Sequence, residues 1–288
     1  MHKLNFSAAV ITLAMLHSPA GLVAADVASD PNDPQYQKKG EQNRTYLFPG
    51  TSERIPYHLY VPSKWNRETK LPLVIVLHGG GQTEDKPFQH GDGILAKIAE
   101  QRGYILAGVL GYRPYGGYNN PFRIIQVAPA AGGQAKGGGG GKGGGPGALT
   151  PEERARSEQD VLNVAALVAK EYNTDPSRLY LMGNLMGGGG TWYLGQKYPE
   201  MWAAISPSNG PVTPEEYPYD RLKGLPVAVV HGDPNTGTSG EAALRMVQLA
   251  KERGVEVLWL SVPGADHMTA WTKVVPQVFD FFDQNQKR

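Results

Sequence analysis

The feature that most constrains this chain is a stretch in which an apolar strand runs into a glycine-rich turn and then into a helix. It extends from Leu179 to Thr191 and reads Leu-Tyr-Leu-Met-Gly-Asn-Leu-Met-Gly-Gly-Gly-Gly-Thr. Gly183 and Gly187 flank the turn, and because neither carries a Cβ atom, they allow the strand and the helix to approach closely. The sequence therefore predicts a sharp strand-turn-helix unit centred on Leu185.

Such a unit is typical of a nucleophile elbow, in which a Gly-x-Ser-x-Gly sequence presents a serine from a strained and exposed turn. In this chain the central position holds Leu185. A leucine side chain has no proton to lose and no lone pair with which to attack a carbonyl carbon. The elbow thus has the frame of a serine hydrolase and lacks its nucleophile.

The N-terminal residues have the pattern of a secretory signal peptide. Lys3 precedes an apolar run at 6–16, and the small residues Val23-Ala24-Ala25 provide a cleavage site. We expect cleavage of residues 1–25 and a secreted or periplasmic protein. A buried or membrane helix is the alternative, but the run is shorter than the ~20 residues that a membrane span needs.

The composition excludes several classes of function. Removal of residues 1–25 takes away Lys3 and no acid, which leaves 27 basic and 27 acidic residues. There is then no bulk charge to attract nucleic acid or an anionic membrane. The absence of cysteine excludes disulfides, a thiol nucleophile and thiolate metal sites. The seven histidines show no metal-binding spacing, so we predict no metal and no cofactor.

The rest of the chain predicts a flexible N-terminal segment at 26–43 and one α/β domain at 44–288. Short patterned runs at 45–48 and 55–61 predict an antiparallel hairpin at the sheet edge. After them, apolar runs alternate with helical patterns, which indicates a mostly parallel central sheet with helices on both faces. Besides the central strand, the predicted strands are 71–77, 104–110, 203–205, 225–231 and 255–262, with a further candidate at 124–128. The predicted helices are 94–101, one that begins at the capping box Thr150-Pro-Glu-Glu153, 188–197, 238–253 and a closing helix.

Two other segments have a distinctive composition. Eleven of the sixteen residues from Gly132 to Gly147 are glycine, which predicts a flexible surface insertion. A phosphate-binding loop is the alternative, but no Lys-Ser or Lys-Thr signature follows. The loop at 111–122 carries four aromatic residues, which either pack over the sheet edge or contact a substrate.

Seven short motifs follow one another along the chain. They are Tyr60-Val-Pro62, Leu77-His-Gly-Gly-Gly81, Asp175-Pro-Ser-Arg-Leu-Tyr-Leu181, Met186-Gly-Gly188, Tyr198-Pro199, His231-Gly-Asp233 and Gly264-Ala-Asp-His267. By their order and spacing, residues 55–285 resemble the secreted α/β-hydrolase esterases related to polyhydroxybutyrate depolymerases, feruloyl esterases and prolyl-oligopeptidase-like hydrolases. The resemblance implies an α/β-hydrolase fold and a carboxylic-ester hydrolase that acts through an acyl-enzyme on a small-molecule or polymer ester.

The resemblance also implies roles for individual residues. His267 follows the last strand, where the family has its catalytic histidine, and an imidazole that titrates near neutral pH suits proton transfer. The alternative is a loop histidine that caps the closing helix. Backbone N–H groups of Gly80, Gly81 and Met186 would form the oxyanion hole. His78 beside these glycines is expected to be a structural turn residue.

The acid position is a second departure from the family. Relatives have an aspartate in a His-Gly-Asp-x-Asp-like turn, and the matching position here holds Asn235. An asparagine can orient an imidazole but cannot stabilise the imidazolium with a charge. The earlier Asp233 either replaces that aspartate, which requires rearrangement of residues 234–238, or braces its own turn.

Other hydroxyl groups near the elbow are weak candidates for the nucleophile. Ser206, Ser208 and Thr191 lie near the elbow, but none occupies the strained position, and a serine without an aligned base is a weak nucleophile. Removal of a triad serine lowers kcat about 10⁶-fold in the best-studied case, so ordinary ester turnover should be nearly absent. Three interpretations of function are therefore open. The chain is an ester hydrolase by descent with impaired activity, a catalytically silent binding protein, or an inactivated variant of an active enzyme.

Overall fold

The computed structural model describes residues 27–125, 149–233 and 237–287. Within these residues the chain forms one eight-stranded sheet with helices packed on both faces. The signal peptide predicted at 1–25, the insertion predicted at 132–147 and the acid position Asn235 lie outside the described residues. What the sequence predicts for them therefore stays a prediction.

The sheet has the mostly parallel arrangement that the sequence predicts. Its strands are β1 Gly40–Leu47, β2 Arg54–Val61, β3 Leu73–Leu77, β4 Ile105–Val109, β5 Leu179–Asn184, β6 Ala204–Ser208, β7 Val227–His231 and β8 Val257–Ser261. They lie in the order β1-β2-β4-β3-β5-β6-β7-β8. β1 pairs with β2, and β2 with β4, in antiparallel fashion. The remaining pairs are parallel, so the carboxyl ends of β3 to β8 share one edge.

Six α-helices cover the sheet in the described residues. They are α1 Lys86–Gln89, α2 Ile94–Arg102, α3 Pro151–Tyr172, α4 Met186–Lys197, α5 Gly237–Glu252 and α6 His267–Gln284. The predicted capping box at the start of α3 is confirmed: the Thr150 hydroxyl accepts from the Glu153 N–H at 3.1 Å, and the Glu153 carboxylate accepts from the Thr150 N–H at 3.0 Å.

The core lies on both sides of the sheet, as alternate residues of β3 show. Leu73 and Ile75 pack in one apolar cluster with α3, α4 and α5, whereas Val74 and Val76 pack in a second cluster with α2 and α6. Every residue of β3 is buried, which explains its continuous apolar sequence. The sheet is thus a rigid platform for the loops at its carboxyl edge.

The boundary predicted for the N-terminal segment is wrong. Residues 40–43 belong to β1, and Gln37 and Lys38 form hydrogen bonds with the end of α3. Glu171 accepts hydrogen bonds there from the Gln37 N–H at 2.8 Å and from Arg44 Nη1 at 2.7 Å. Both members of the Arg44–Glu171 ion pair are buried. The sequence pattern missed this contact because its two partners are more than a hundred residues apart.

Candidate active site

The predicted elbow is present between β5 and α4. Leu185 has φ 55° and ψ −113°, a conformation that is strained for a side chain with a Cβ and costs on the order of 1–3 kcal/mol. Backbone hydrogen bonds hold it in place. The Leu185 N–H donates to the Ser208 carbonyl at 2.9 Å, and the Leu185 carbonyl accepts from the Gly189 N–H at 3.0 Å. Backbone hydrogen bonds therefore hold the turn on both sides of Leu185.

The glycines around the elbow are required by close backbone contacts. A Cβ on Gly183 would lie 2.5 Å from the Gly187 carbonyl oxygen. One on Gly187 would overlap the Leu77 carbonyl, and one on Gly188 would overlap the Ser208 carbonyl. Strand and helix thus meet at distances that exclude side chains, which is the structural reason for the glycine-rich sequence.

The turn after β3 lies against the elbow. A Cβ on Gly79 would lie 3.4 Å from Leu185 Cδ1, and one on Gly80 would lie 3.8 Å from Met186 Sδ. Met186 is the first residue of α4, where backbone N–H groups have no partner inside the helix. The structure therefore brings Gly80 and the Met186 side chain close together. The oxyanion role of their N–H groups stays a prediction.

Gly81 does not fit the donor role predicted for it. Its N–H donates to the Pro114 carbonyl at 2.9 Å, so this group already has a partner in the 111–122 loop. His78 is buried, and its ring nitrogens lie 2.7 Å from the Gly79 carbonyl and 2.8 Å from the Leu110 carbonyl. Burial lowers the pKa of His78, which fits the structural turn role expected from the sequence.

Most aromatic residues of the 111–122 loop pack against the rest of the protein, which is one of the two roles considered from sequence. Tyr112 and Tyr118 are fully buried, and the Tyr118 hydroxyl accepts from the His78 N–H at 3.0 Å. Tyr115 is 38% exposed and lies against Gly80 and Gly81. The loop thus packs against the core through Tyr112, Tyr118 and Phe122, and Tyr115 lies beside the candidate oxyanion hole.

Polar side chains at the start of α3 hold this loop. Ser157 Oγ accepts from the Tyr118 N–H at 3.0 Å, and Asp160 accepts from the Tyr112 N–H at 2.9 Å. Glu158 accepts from Asn119 Nδ2 at 2.7 Å. Burial raises the pKa of the fully buried Asp160 to about 6. These residues could not be selected from sequence, because polar residues on a helix usually face water.

His267 lies at the first turn of α6, on the same edge of the sheet as the elbow. Asp266 caps this helix by accepting from the Met268 and Thr269 N–H groups at 2.8 Å. The cap is therefore Asp266, and the half-buried His267 side chain is not needed for it. The His267 carbonyl accepts from Asn209 Nδ2 at 2.9 Å.

Asp233 contacts the loop that precedes His267. Its carboxylate accepts from the Gly264 N–H at 2.9 Å, and its own N–H donates to the Ala265 carbonyl at 3.1 Å. These bonds correspond to the bracing role considered for Asp233.

The hydroxyl groups considered as substitute nucleophiles are buried. Thr191 Oγ1 donates to the Gly187 carbonyl at 2.8 Å inside α4. Ser206 and Ser208 lie on β6, and both are completely buried. None of the three therefore presents its hydroxyl where Leu185 stands.

Two asparagines outside the predicted site residues connect the parts of the site. Asn184 immediately precedes the elbow residue, and Asn209 follows β6. Asn209 Nδ2 donates to Asn184 Oδ1 at 2.9 Å. The signal available in the sequence was the position of each asparagine at the carboxyl end of a buried strand.

Three observations concern other kinds of site in the part of the chain that the structure describes. The described residues contain no group of three or more histidine or acidic side chains that could hold a metal ion. Among the helices described, none has the length and apolar character needed to cross a membrane. A cavity of about 410 Å³ lies beside β1, but its lining includes no residue of the elbow or of the oxyanion turn.

Known proteins resemble this chain in structure. No protein-family model and no curated protein sequence matches it. A thermostable esterase superposes with a TM-score of 0.61 and 23% identity over 86% of this chain, which spans 63% of the esterase.

Two further structures match most of this chain over most of their own length. An S-formylglutathione hydrolase from Agrobacterium tumefaciens has a TM-score of 0.60 at 14% identity over 85% of this chain and 94% of its own. A ferulic acid esterase from Anaeromyces mucronatus has a TM-score of 0.56 at 18% identity over 92% and 98%. Together with the strand order and the elbow, these likenesses show that the chain has an α/β-hydrolase fold.

Proposed function

We propose that this protein is a carboxylic-ester hydrolase by descent that binds an acyl ester or its carboxylic acid at the elbow without turning it over. The observation that carries the proposal is Leu185. It retains the strained elbow conformation beside Gly79 and Met186, yet it supplies no nucleophile. Similarity in fold to esterases supports the ester class of ligand.

The geometry suits binding of a carbonyl group. The N–H groups of Gly80 and Met186 would donate to a carbonyl or carboxylate oxygen placed between them. In an active relative, a serine oxygen would then attack the carbonyl carbon while the histidine accepts its proton. Here the leucine methyl groups take that place, so no bond to the carbonyl carbon forms and no acyl-enzyme follows.

Secretion is part of the proposal and rests on the sequence of residues 1–25. An exported binding protein or an inactivated variant would both retain the frame described above. Residual hydrolysis through another hydroxyl has less support, since Thr191, Ser206 and Ser208 are all buried.

Turnover and binding can be measured on the same preparations. We expect the unmodified chain to hydrolyse p-nitrophenyl acetate and butyrate at the buffer rate. The hydrolysis rate of Leu185→Ser/Asn235→Asp should be at least about 10³-fold higher, because a serine then stands beside the base and the oxyanion donors. The rate of Leu185→Ser alone should be intermediate. Adding His267→Gln to the double variant should abolish the gain.

For binding, saturation-transfer NMR with butyrate should give a signal with the unmodified chain and none with Leu185→Trp, whose ring fills the site. Turnover by the unmodified chain that a serine-directed inhibitor blocks would refute the silent function. A folded but inert double variant would remove support for descent from an esterase with this site.

A further inference from the structure

Asn209 occupies an unusual position behind the site. It follows β6 in the left-handed backbone region at φ 49°, and it is 3% exposed. Its N–H donates to the Val230 carbonyl at 2.9 Å, which anchors its backbone to β7. A left-handed, buried residue other than glycine is held there by its surroundings, so its side chain needs an explanation.

Both N–H donors and the carbonyl oxygen of the Asn209 amide have hydrogen-bond partners. Nδ2 donates to Asn184 Oδ1 and to the His267 carbonyl, both at 2.9 Å. Oδ1 accepts from the Gly232 N–H at 2.9 Å. One side chain thus joins the residue before the elbow, the turn after β7 and the first residue of α6.

We infer that Asn209 is a positioning residue that fixes His267 relative to the elbow. These bonds reach His267 through its main chain, so they set the location from which the imidazole extends. The connection continues through Asn184, whose Nδ2 lies 3.2 Å from Met268 Sδ on the same turn of α6. Two contacts therefore tie the start of α6 to the ends of β5 and β6. The inference rests on the proposed function only in treating His267 as a site residue.

The three hydrogen bonds of the Asn209 side chain require an asparagine. Two acceptor oxygens and one N–H donor surround the side chain, and only a primary amide offers two donors and an acceptor at this length. Aspartate has the same shape, but its carboxylate would face the oxygens of Asn184 and His267 without a proton to share. Glycine would keep the left-handed backbone and remove all three bonds.

The position of His267 can be followed in the unmodified chain by NMR. The imidazole Cε1–Hε1 signal is assigned with a His267→Gln variant. We expect Asn209→Gly and Asn209→Asp to shift or broaden this signal, while Asn173→Gly leaves it unchanged. Asn173 is a matched control because it has a similar backbone conformation, φ 48°, at the exposed end of α3. Asn184→Ala should reproduce part of the shift.

Kinetics in the Leu185→Ser/Asn235→Asp background provide a second measurement. A displaced base should lower kcat up to about 10²-fold with little change in KM, because misplacement of a catalytic group by about 1 Å has that effect. An inert background would count against the proposed function, while the NMR measurement would still decide the role of Asn209.

An unchanged His267 signal in folded Asn209→Gly would overturn the inference. Unfolding of both Asn209→Gly and Asn184→Ala would also overturn it, because the amides would then support the fold as a whole.

Discussion

The elbow and the 111–122 loop both contain strained backbone, but they are held in different ways. Leu185 at φ 55° is fixed by backbone hydrogen bonds and by glycines that allow close approach. In the loop, Tyr112, Tyr118 and Asn119 have φ between 55° and 63°, and buried side chains of α3 hold them. The elbow can therefore lose its central side chain and keep its shape, whereas the loop depends on particular side chains.

The largest effect is expected when the glycine contact of the elbow is broken. Gly187→Ala places a Cβ against the Leu77 carbonyl, so α4 must move away from the sheet at a cost of about 3 kcal/mol in unfolding free energy. Urea unfolding measures the loss. Gly80→Ala is the control, because its Cβ would make ordinary contact with Met186 at 3.8 Å and should cost less than about 1 kcal/mol. Equal losses in the two variants would contradict the steric account.

The support of the loop is expected to depend on pH. The pKa of Asp160 is raised to about 6 in the folded state from 3.8, so the folded protein binds its proton more tightly than the unfolded chain. This proton binding stabilises the folded state fully below about pH 4, and the stabilisation is lost as pH rises through about 6. Between pH 4 and pH 7, the unfolding free energy of Asp160→Asn should therefore rise by on the order of 2–3 kcal/mol relative to that of the unmodified chain. A pH-independent difference between the two would show that Asp160 does not titrate in this way.

The smallest effect is expected at the centre of the elbow. Leu185→Ser leaves every backbone bond of the turn in place, so the unfolding free energy should change by less than about 1 kcal/mol. Thermal and urea unfolding would test this. A loss comparable to that of Gly187→Ala would mean that the leucine side chain holds the turn, and the contrast between elbow and loop would fail.

The regular parts of the fold could be predicted because their signals are local. The apolar runs of β3 and β7 and the capping box at Thr150 each depend on residues a few positions apart. β6 extends to Ser208, beyond the predicted end at 205, because two serines and a proline in sequence look like a loop. Their burial comes from neighbouring strands that the sequence pattern does not show.

The site could be predicted only in outline. Its glycines and His267 follow strand ends, so the order of motifs locates them. The other contacts of the site join segments that are distant in sequence. They are the bond from Gly81 to Pro114, the contacts of α3 with the 111–122 loop, and the hydrogen bonds of the Asn209 side chain. Such polar contacts have no periodicity, and a buried Ser157 or Asn209 has the same sequence appearance as an exposed one.

The most direct test of an elbow without a nucleophile is covalent labelling with a fluorophosphonate probe, followed by peptide mapping. A fluorophosphonate reports an activated serine, since it requires both a nucleophilic oxygen and a base beside it. We predict no labelling of the unmodified chain and labelling of Leu185→Ser/Asn235→Asp at position 185. Labelling of the unmodified chain at any serine, lost in His267→Gln, would contradict the account.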